Sequence, residues 1–260
     1  MTHTPTDVPR RAGPLADLID LVLPATCAAC DLPGPVLCAD CRFGWWSTPR
    51  RCEQDAGRLD RMDGNGPLPV WGQAFYQGAV RQTILAWKRR GRAELSDWLA
   101  GSTRAAARSL VAAQSPSTPL LVVPAPPSVS GRRRRGEDLL RPLARAAARG
   151  LTDAGLPARA LPVLRAGPGA RDQIGMGRRE RGANISGRVA LTRPGERDLA
   201  TAPPGPVLLL DDVLTTGATL AACRDLLERV GRPVVGALVL AATPTRIHSC
   251  AGVESQAVSG

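Results

Sequence analysis

A run of apolar residues that ends in two adjacent acids constrains this chain more than any other feature. Residues 207–220 read VLLLDDVLTTGATL, so that Asp211 and Asp212 directly follow four apolar residues. Carboxylates that end a buried strand are costly unless water, a metal ion or a ligand meets them. Residues 217–230 place apolar side chains at helical spacing, and Gly231 stands where a C-terminal cap is expected. The stretch therefore predicts a strand, a loop that carries the acids, and a helix.

The features of this strand–loop–helix unit indicate a site for a sugar phosphate. Open α/β sheets bind ligands at the carboxyl ends of their strands, and a helix N-terminus offers unpaired N–H groups and partial positive charge to an anion. Gly217 allows the backbone to approach a ligand closely, and the hydroxyls of Thr215, Thr216 and Thr219 add donors. The two carboxylates can accept hydrogen bonds from sugar hydroxyls or assist a hydrated Mg²⁺. We therefore expect a ribose 5-phosphate here; the alternative is a capped turn with solvated acids.

Strand and helix patterns alternate along the rest of the chain, which predicts an α/β fold with a central, mainly parallel sheet flanked by helices. Polar composition predicts a linker or irregular loop at 47–68, an exposed loop at 164–187 and a hairpin-like link at 192–206. We expect an N-terminal module at 1–68 and the main domain at 69–260. The predicted strands lie at 70–78 (with a turn), 119–127, 188–191, 207–210 and 233–243, and the predicted helices at 11–23, 79–90, 94–113, 137–149 and 217–230.

Four of the seven cysteines form a cluster with the spacing of a metal site. The spacing is Cys-x2-Cys-x7-Cys-x2-Cys, and each Cys-x2-Cys pair can turn tightly enough for both sulfurs to hold one ion. Four thiolates complete a tetrahedral, structural Zn²⁺ site in a small zinc-ribbon-like module; buried free cysteines and an iron–sulfur site are the alternatives. Cys52, Cys223 and Cys250 have no obvious partner pair. The predicted ligands are Cys27, Cys30, Cys38 and Cys41.

The charge of the chain is strongly positive, which favours partners that carry phosphate. The net charge is +11, from 33 arginines and the single Lys88 against 23 acids. A GC-rich coding sequence would also produce this arginine excess, so composition does not decide for nucleic acid. Trp45 and Trp46 could stack on bases or fill the core of the small module. We find no apolar run that could span a membrane and no signal peptide, and we expect a cytoplasmic protein.

The segment LLLDDVLTTGATL resembles the signature of type I phosphoribosyltransferases, which bind phosphoribosyl pyrophosphate. Residues 75–92, 122–140 and 172–184 are similar to blocks of one branch, the ComF-like competence proteins, which also carry an N-terminal cysteine cluster. The resemblance covers roughly residues 20–245. One block departs from the branch pattern, because RGED at 135–138 stands where RGFNQ is usual. The resemblance implies a type I phosphoribosyltransferase fold and a role in DNA uptake during transformation, with single-stranded DNA and the competence machinery as partners.

The resemblance also implies roles for individual residues around phosphoribosyl pyrophosphate, or a related phosphosugar, and Mg²⁺. The catalytic pair would be Asp211 and Asp212, and backbone N–H groups of the loop that includes Pro124 and Ala125 would meet pyrophosphate. A mobile loop at 165–184, with Arg165 and Arg171 among its candidates, would close over the leaving group. Lys88 either reaches phosphate or is a surface lysine. The implied binding residues are Val213, Thr215, Thr216, Gly217, Ala218, Thr219, Pro124, Ala125, Arg132, Arg135, Lys88, Arg178 and Arg181.

Three functions remain open on the sequence alone. The chain could bind phosphoribosyl pyrophosphate without chemistry, transfer phosphoribose to a nucleobase, or bind single-stranded nucleic acid with a vestigial pocket. No strong general base is evident, because His3 and His248 lie near the two termini. The sequence does not name the acceptor base or the oligomeric state.

Overall fold

The structure is a computed structural model that describes residues 25–60, 64, 66–89, 92–111, 118–126, 138–167 and 189–244. Several predictions concern residues outside these ranges. They are the helix at 11–23, most of the loop at 164–187, and the proposed anion ligands Arg132, Arg135, Arg171, Arg178 and Arg181.

Helices and strands alternate through most of the described chain, as the hydrophobic pattern predicts. Two short 3₁₀ turns, Glu53–Asp55 and Gly57–Leu59, separate the first two strands. The elements are α1 (Ala39–Arg42), β1 (Trp45–Arg51), β2 (Val70–Ala74), α2 (Gly78–Arg89), α3 (Leu95–Leu110), β3 (Leu120–Pro124), α4 (Leu140–Asp153), β4 (Ala158–Ala160), β5 (Leu164–Ala166), β6 (Val189–Leu191), α5 (Arg193–Thr201), β7 (Val207–Leu214), α6 (Ala218–Arg229) and β8 (Val234–Ala242).

The central sheet has six strands in the order β1-β2-β8-β7-β3-β4. Only its β1–β2 pair is antiparallel, and its other neighbours are parallel. This confirms the predicted α/β class with a mostly parallel sheet flanked by helices. Strand β3 connects through α4 to β4 on one side, whereas β7 connects through α6 to β8 on the other. The strand order therefore reverses between β3 and β7, and ligands of such sheets bind at the carboxyl ends beside this point.

Burial on both faces explains why the central strands are continuous apolar runs. Leu209 and Leu210 of β7 and Leu238 of β8 are fully buried, as expected for parallel strands covered by helices on both sides. Helices α3 and α4 pack closely because Gly150 has no side chain: a Cβ there would lie 2.1 Å from the carbonyl oxygen of Arg104. This core fixes the position of the carboxyl edge of the sheet.

Two stretches expected to be irregular contain regular structure. The predicted linker at 47–68 includes most of β1, whose residues pair with β2 in the central sheet. The predicted hairpin-like link at 192–206 contains helix α5, which begins where the Thr192 hydroxyl accepts the N–H of Gly195 at 2.9 Å. Polar, exposed residues concealed this helix in the sequence. The domain boundary at 68/69 stays a prediction.

The described part of the chain contains no helix with both the length and the apolar character that a membrane crossing requires.

Candidate ligand site and metal centre

The two acids of the opening stretch lie within a strand, not after it. Strand β7 continues past both acids to Leu214, and Asp211 pairs in register with Val239 of β8. Both carboxylates are partly buried. The amide of Ala125, just after β3, donates to the carbonyl oxygen of Leu210 at 2.7 Å. The end of β3 therefore lies directly beside the acid pair, at the point where the strand order reverses.

The loop after β7 presents polar groups to solvent and leads into the N-terminus of α6. Thr215, Thr216 and Thr219 are exposed, as the prediction of a ligand loop requires. Gly217 adopts a left-handed conformation, with φ of +77°, and no side chain caps the helix. The first intrahelical bond runs from the Ala221 amide to the Gly217 carbonyl at 2.9 Å. The preceding amides of the first turn have no intrahelical acceptor and remain suited to an anion.

Burial and crowding of charge make Asp211 a weak acid. Its burial first, and the charge of Asp212 second, raise the pKa of the Asp211 carboxyl to about 7. The amide of Asp212 donates to Asp211 Oδ1 at 2.8 Å, and this bond and the charge of Lys88 oppose the rise. A cation or a donor placed beside this pair would relieve the repulsion. The site therefore favours ligands that bring positive charge or hydroxyl donors to the two carboxylates.

Lys88 reaches the acid pair from the last turn of α2. Its Nζ lies 2.5 Å from Asp212 Oδ2, and the two side chains are 32% and 21% exposed. Lys88 therefore lies beside the acid pair, and its contact with phosphate stays a prediction. The ion pair is partly exposed to solvent. A ligand that takes Asp212 must share or displace this lysine.

Residues 56–59, which the polar composition predicted to be part of a linker, contact the loop between β7 and α6. We call these residues the strap. The amide of Arg58 donates to the carbonyl oxygen of Thr216 at 3.3 Å. A Cβ on Gly217 would lie 2.6 Å from Cγ of Leu59, so only glycine fits against the strap. The loop is thus held by a contact between residues more than 150 positions apart, which no local pattern signals.

One buried charged residue contacts the strap directly, and a second joins the end of β1 to the start of β2. The guanidinium of Arg224, 8% exposed, donates to the carbonyl oxygen of Leu59 at 3.1 Å and to Asp225 at 2.8 Å. The Glu53 carboxylate accepts the amides of Cys52 at 3.2 Å and Val70 at 3.1 Å. Buried charges of this kind are stable only when hydrogen-bonded in this way. No local sequence pattern indicates a role for Arg224 or Glu53. The partner of Arg224 lies far along the chain, and Glu53 lies in a stretch that was expected to be irregular.

The predicted pyrophosphate loop is only partly suited to its role. Proline lacks an N–H, so Pro124 offers no donor. The Ala125 amide is already used by Leu210. Neither residue therefore has a free backbone N–H for an anion, and binding of pyrophosphate by the loop that includes Pro124 and Ala125 stays a prediction. Arg165, a candidate of the predicted mobile loop, instead donates to the carbonyl oxygen of Leu191 and ties β5 to β6.

The four clustered cysteines converge as their spacing predicts. All four Sγ atoms lie within 4.8 Å of one another. Cys30 Sγ and Cys38 Sγ are 3.8 Å apart, and a tetrahedral ion with Zn–S bonds of about 2.3 Å requires a separation of about 3.8 Å. Burial opposes ionisation of Cys27, but backbone hydrogen bonds from Cys38, Ala29 and Cys30 outweigh it and lower the pKa of its thiol to about 6. The donor set fits a metal ion and leaves no protein ligand missing.

The tryptophans beside the cluster contact other rings of the protein. Trp45 packs edge-on against Trp98 with ring centroids 5.0 Å apart, and Trp46 packs against Phe75 at 4.8 Å. The guanidinium of Arg50 lies 4.9 Å from the centroid of the Trp46 ring. These contacts favour the packing interpretation of the two tryptophans over base stacking.

Comparison with curated proteins gives a partial match, and no protein-family model matches the chain. The chain is 52% identical over 48 residues to the adenine phosphoribosyltransferase of Gluconobacter oxydans (strain 621H). The match covers 18% of this chain and 22% of that enzyme, so it spans about a fifth of the relative's length. It supports a relationship to phosphoribosyltransferases, and it does not extend to the ComF branch.

Proposed function

We propose that the protein binds phosphoribosyl pyrophosphate, or a related phosphosugar, at the carboxyl end of β7. The observation that carries this proposal is that two features lie close together in the chain, one in the last residues of β7 and one at the start of α6. Asp211 and Asp212 present carboxylates, and the uncapped N-terminus of α6 follows them within a few residues. A ligand with a phosphate at one end and a diol at the other satisfies both features at once.

Each end of the ligand has a physical counterpart in this arrangement. The 5-phosphate binds the free amides at the start of α6 and the exposed hydroxyls of Thr215, Thr216 and Thr219. The ribose hydroxyls donate to the carboxylates. Mg²⁺ would supply charge neutralisation of the pyrophosphate beside Asp211 and Asp212, whose oxygen ligands suit it. Lys88, freed from Asp212, then neutralises phosphate charge.

The cellular role that we propose is the one implied by the ComF resemblance. The protein acts in the cytoplasm in DNA uptake during transformation, where a phosphosugar serves as a bound regulator and single-stranded DNA and the competence machinery are partners. The cysteine cluster holds a structural Zn²⁺ in a small N-terminal module. The convergence of four sulfurs supports the zinc proposal, and the sequence resemblance supports the rest.

Isothermal calorimetry with phosphoribosyl pyrophosphate and Mg²⁺ tests the binding proposal. The variant Asp211→Asn/Asp212→Asn should weaken binding by roughly 100-fold, which corresponds to the loss of two hydrogen bonds to charged groups. The matched control is Glu196→Gln/Asp198→Asn, which removes two exposed acids from α5 and should bind like the wild type. Absence of binding by the wild type, or equal affinity in both variants, contradicts the proposal.

A second candidate function is transfer of phosphoribose to a nucleobase. The partial match to an adenine phosphoribosyltransferase favours it. Pyrophosphate would leave C1 of the ribose through an oxocarbenium-like transition state, and catalysis would depend on positioning and on stabilising the departing charge. Release of pyrophosphate with adenine, or another base of a panel, would establish it. Binding without release across the panel favours the regulatory ligand.

A further inference from the structure

A groove on the opposite side of β3 from the ligand site is lined by arginines. Arg145 and Arg149 lie one helical turn apart on α4, and Arg159 lies on β4 at the edge of the sheet. All three are exposed. The groove encloses about 350 Å³, and its remaining lining residues are small or polar: Ala148, Thr152, Asp153, Ala158 and Ala160.

The positive charge of this groove is not neutralised by the described protein. Within the described ranges, no carboxylate lies at ion-pair distance from Arg145, Arg149 or Arg159. The acid of the lining, Asp153, is paired at 2.7 Å with Arg104 of the neighbouring helix α3. That hydrogen bond first, and the charges of Arg104, Arg108 and Arg149 with it, lower the pKa of the Asp153 carboxyl. An anion in the groove therefore meets an excess of cationic groups.

The geometry suits an extended polyanion better than a single phosphate. Residues four positions apart on a helix are separated by about 6 Å along its axis, so Arg145 and Arg149 can contact successive phosphates of one strand. Arg159 faces the same groove from the sheet edge. Among the residues that the structure describes, no aromatic side chain lines the groove, so the contacts would be to the backbone and not to bases.

We propose that the groove between α4 and β4 binds the sugar–phosphate backbone of single-stranded nucleic acid without sequence preference. The proposal rests on the proposed function for its ligand class, single-stranded DNA, but it does not depend on the phosphosugar site, because the two surfaces share no residue. An arginine excess caused by genome composition would scatter arginines over the surface. Here three arginines line one groove, and the acid of that groove, Asp153, is already paired with Arg104.

Fluorescence anisotropy of a labelled oligothymidylate of about 20 nucleotides, titrated with the full chain at several NaCl concentrations, tests the proposal. The triple variant Arg145→Gln/Arg149→Gln/Arg159→Gln should bind roughly tenfold more weakly near physiological salt. Its log–log salt slope should be smaller by about 2, because each lost single-strand phosphate contact removes about 0.7. The control Arg193→Gln/Arg197→Gln/Arg229→Gln removes the same charge from exposed positions of α5 and α6 and should stay within about threefold of the wild type.

Several outcomes overturn the proposal. Equal weakening in both triple variants would mean that net charge alone drives binding. Lack of binding by the wild type at low salt, or a strong preference among thymidylate, adenylate and cytidylate oligomers, would also contradict it. Full displacement of the oligomer by inorganic phosphate would assign an isolated anion to the groove instead. Calorimetry with phosphoribosyl pyrophosphate on the same groove variant should give wild-type affinity, so failure of the phosphosugar proposal is seen separately.

Discussion

The cysteine cluster and the β7–α6 loop are both candidate binding regions, but they are held together in different ways. The cluster has a small core of its own, in which Cys27, Leu37 and Cys41 are the buried residues. The loop is attached to β7, whose apolar residues belong to the large core of the sheet. Small modules of the first kind obtain their folding energy from the metal ion. The β7–α6 loop, in contrast, takes its conformation when the main sheet folds and does not require a ligand to do so.

The two regions consequently treat their charged groups differently. In the cluster, the four sulfurs converge on one another, and their joint ionisation is favourable only with a metal ion between them. At the junction of β7 and α6, the fold holds Gly217 in a left-handed conformation against Leu59 and keeps the carboxylate of Asp211 close to the charge of Asp212. Such crowding of like charges persists only where the surrounding structure fixes the positions of both groups. The comparison predicts that metal loss unfolds the first region, whereas changes in the second produce graded effects.

The largest effect is expected from loss of a cysteine ligand. Cys38→Ser should abolish binding of one equivalent of Zn²⁺ and unfold the N-terminal module, because structural zinc contributes about 10 kcal/mol or more to the folding free energy of small modules. Metal analysis after dialysis and circular dichroism melts measure the two effects. Cys223→Ala, which alters a cysteine buried in the main core, should retain the zinc. A Cys38→Ser protein that keeps its zinc and its melting curve would show that the module does not depend on the ion.

The next largest effect is expected at Gly217. Alanine there meets a left-handed backbone, which costs about 1–2 kcal/mol, and a contact with Leu59, which costs about 1–3 kcal/mol more. Gly231→Ala is the matched control, because its φ is +75° and no atom lies within 4 Å of the added Cβ. Urea unfolding should therefore show a clearly larger loss for Gly217→Ala. Adding Leu59→Ala to both variants should reduce the difference between their free energies of unfolding. An unchanged difference would mean that the contact with Leu59 does not destabilise Gly217→Ala.

Local patterns in the sequence predicted the parts of the site that are contiguous in the chain. The apolar run, the acid pair and the helical spacing predicted the β7–α6 unit, because strand and helix periods are local properties. The cysteine spacing predicted the convergence of four sulfurs for the same reason. The predicted strand was too short, because Asp211 and Asp212 continue in extended conformation beside β8.

The parts that were not predicted depend on long-range contacts or on polar surfaces. The strap was interpreted as linker because Leu59 is an isolated apolar residue in a polar stretch, and its partner Gly217 lies far along the chain. The buried Arg224 looks like any helical arginine until Leu59 is placed beside it. Helix α5 escaped detection because few of its residues are buried. Sequence alone also could not decide whether Lys88 points at the site.

A smaller, pH-dependent effect is expected from Asp211→Asn. The folded-state pKa is about 7 and the unfolded value is about 3.9. As pH rises from about 4 to about 7, the unfolded chain releases this proton while the folded protein retains it, so the wild type loses stability. Asparagine does not ionise, so the variant's advantage should grow over this window and then level off. Three pKa units correspond to about 4 kcal/mol, and partial exposure should reduce this to about 2 kcal/mol.

Urea unfolding without added Mg²⁺, at several pH values, measures this difference between Asp211→Asn and the wild type. Effects of pH on the cysteine cluster occur in both proteins and cancel in the comparison. If the difference in free energy of unfolding stays constant between about pH 5 and about pH 8, the Asp211 carboxyl titrates normally. That result would contradict the crowding of charge by which the loop is distinguished from the cluster.

The smallest effect on stability, and the sharpest separation of stability from binding, is expected at Lys88. A partly exposed ion pair such as Lys88–Asp212 contributes about 0–1 kcal/mol, so Lys88→Met should change the urea midpoint little, and less in high salt. Arg104→Met breaks the comparable surface pair with Asp153 and should cost a similar amount. Only Lys88→Met should weaken phosphoribosyl pyrophosphate binding, by roughly tenfold for one lost charged hydrogen bond to phosphate. Equal affinities in the two variants would mean that Lys88 serves only to neutralise Asp212 in the free protein. The charge of Asp212 would then be neutralised permanently by a residue of the protein and would not be available to a ligand. In that respect the loop would resemble the cysteine cluster, whose sulfurs contact one another.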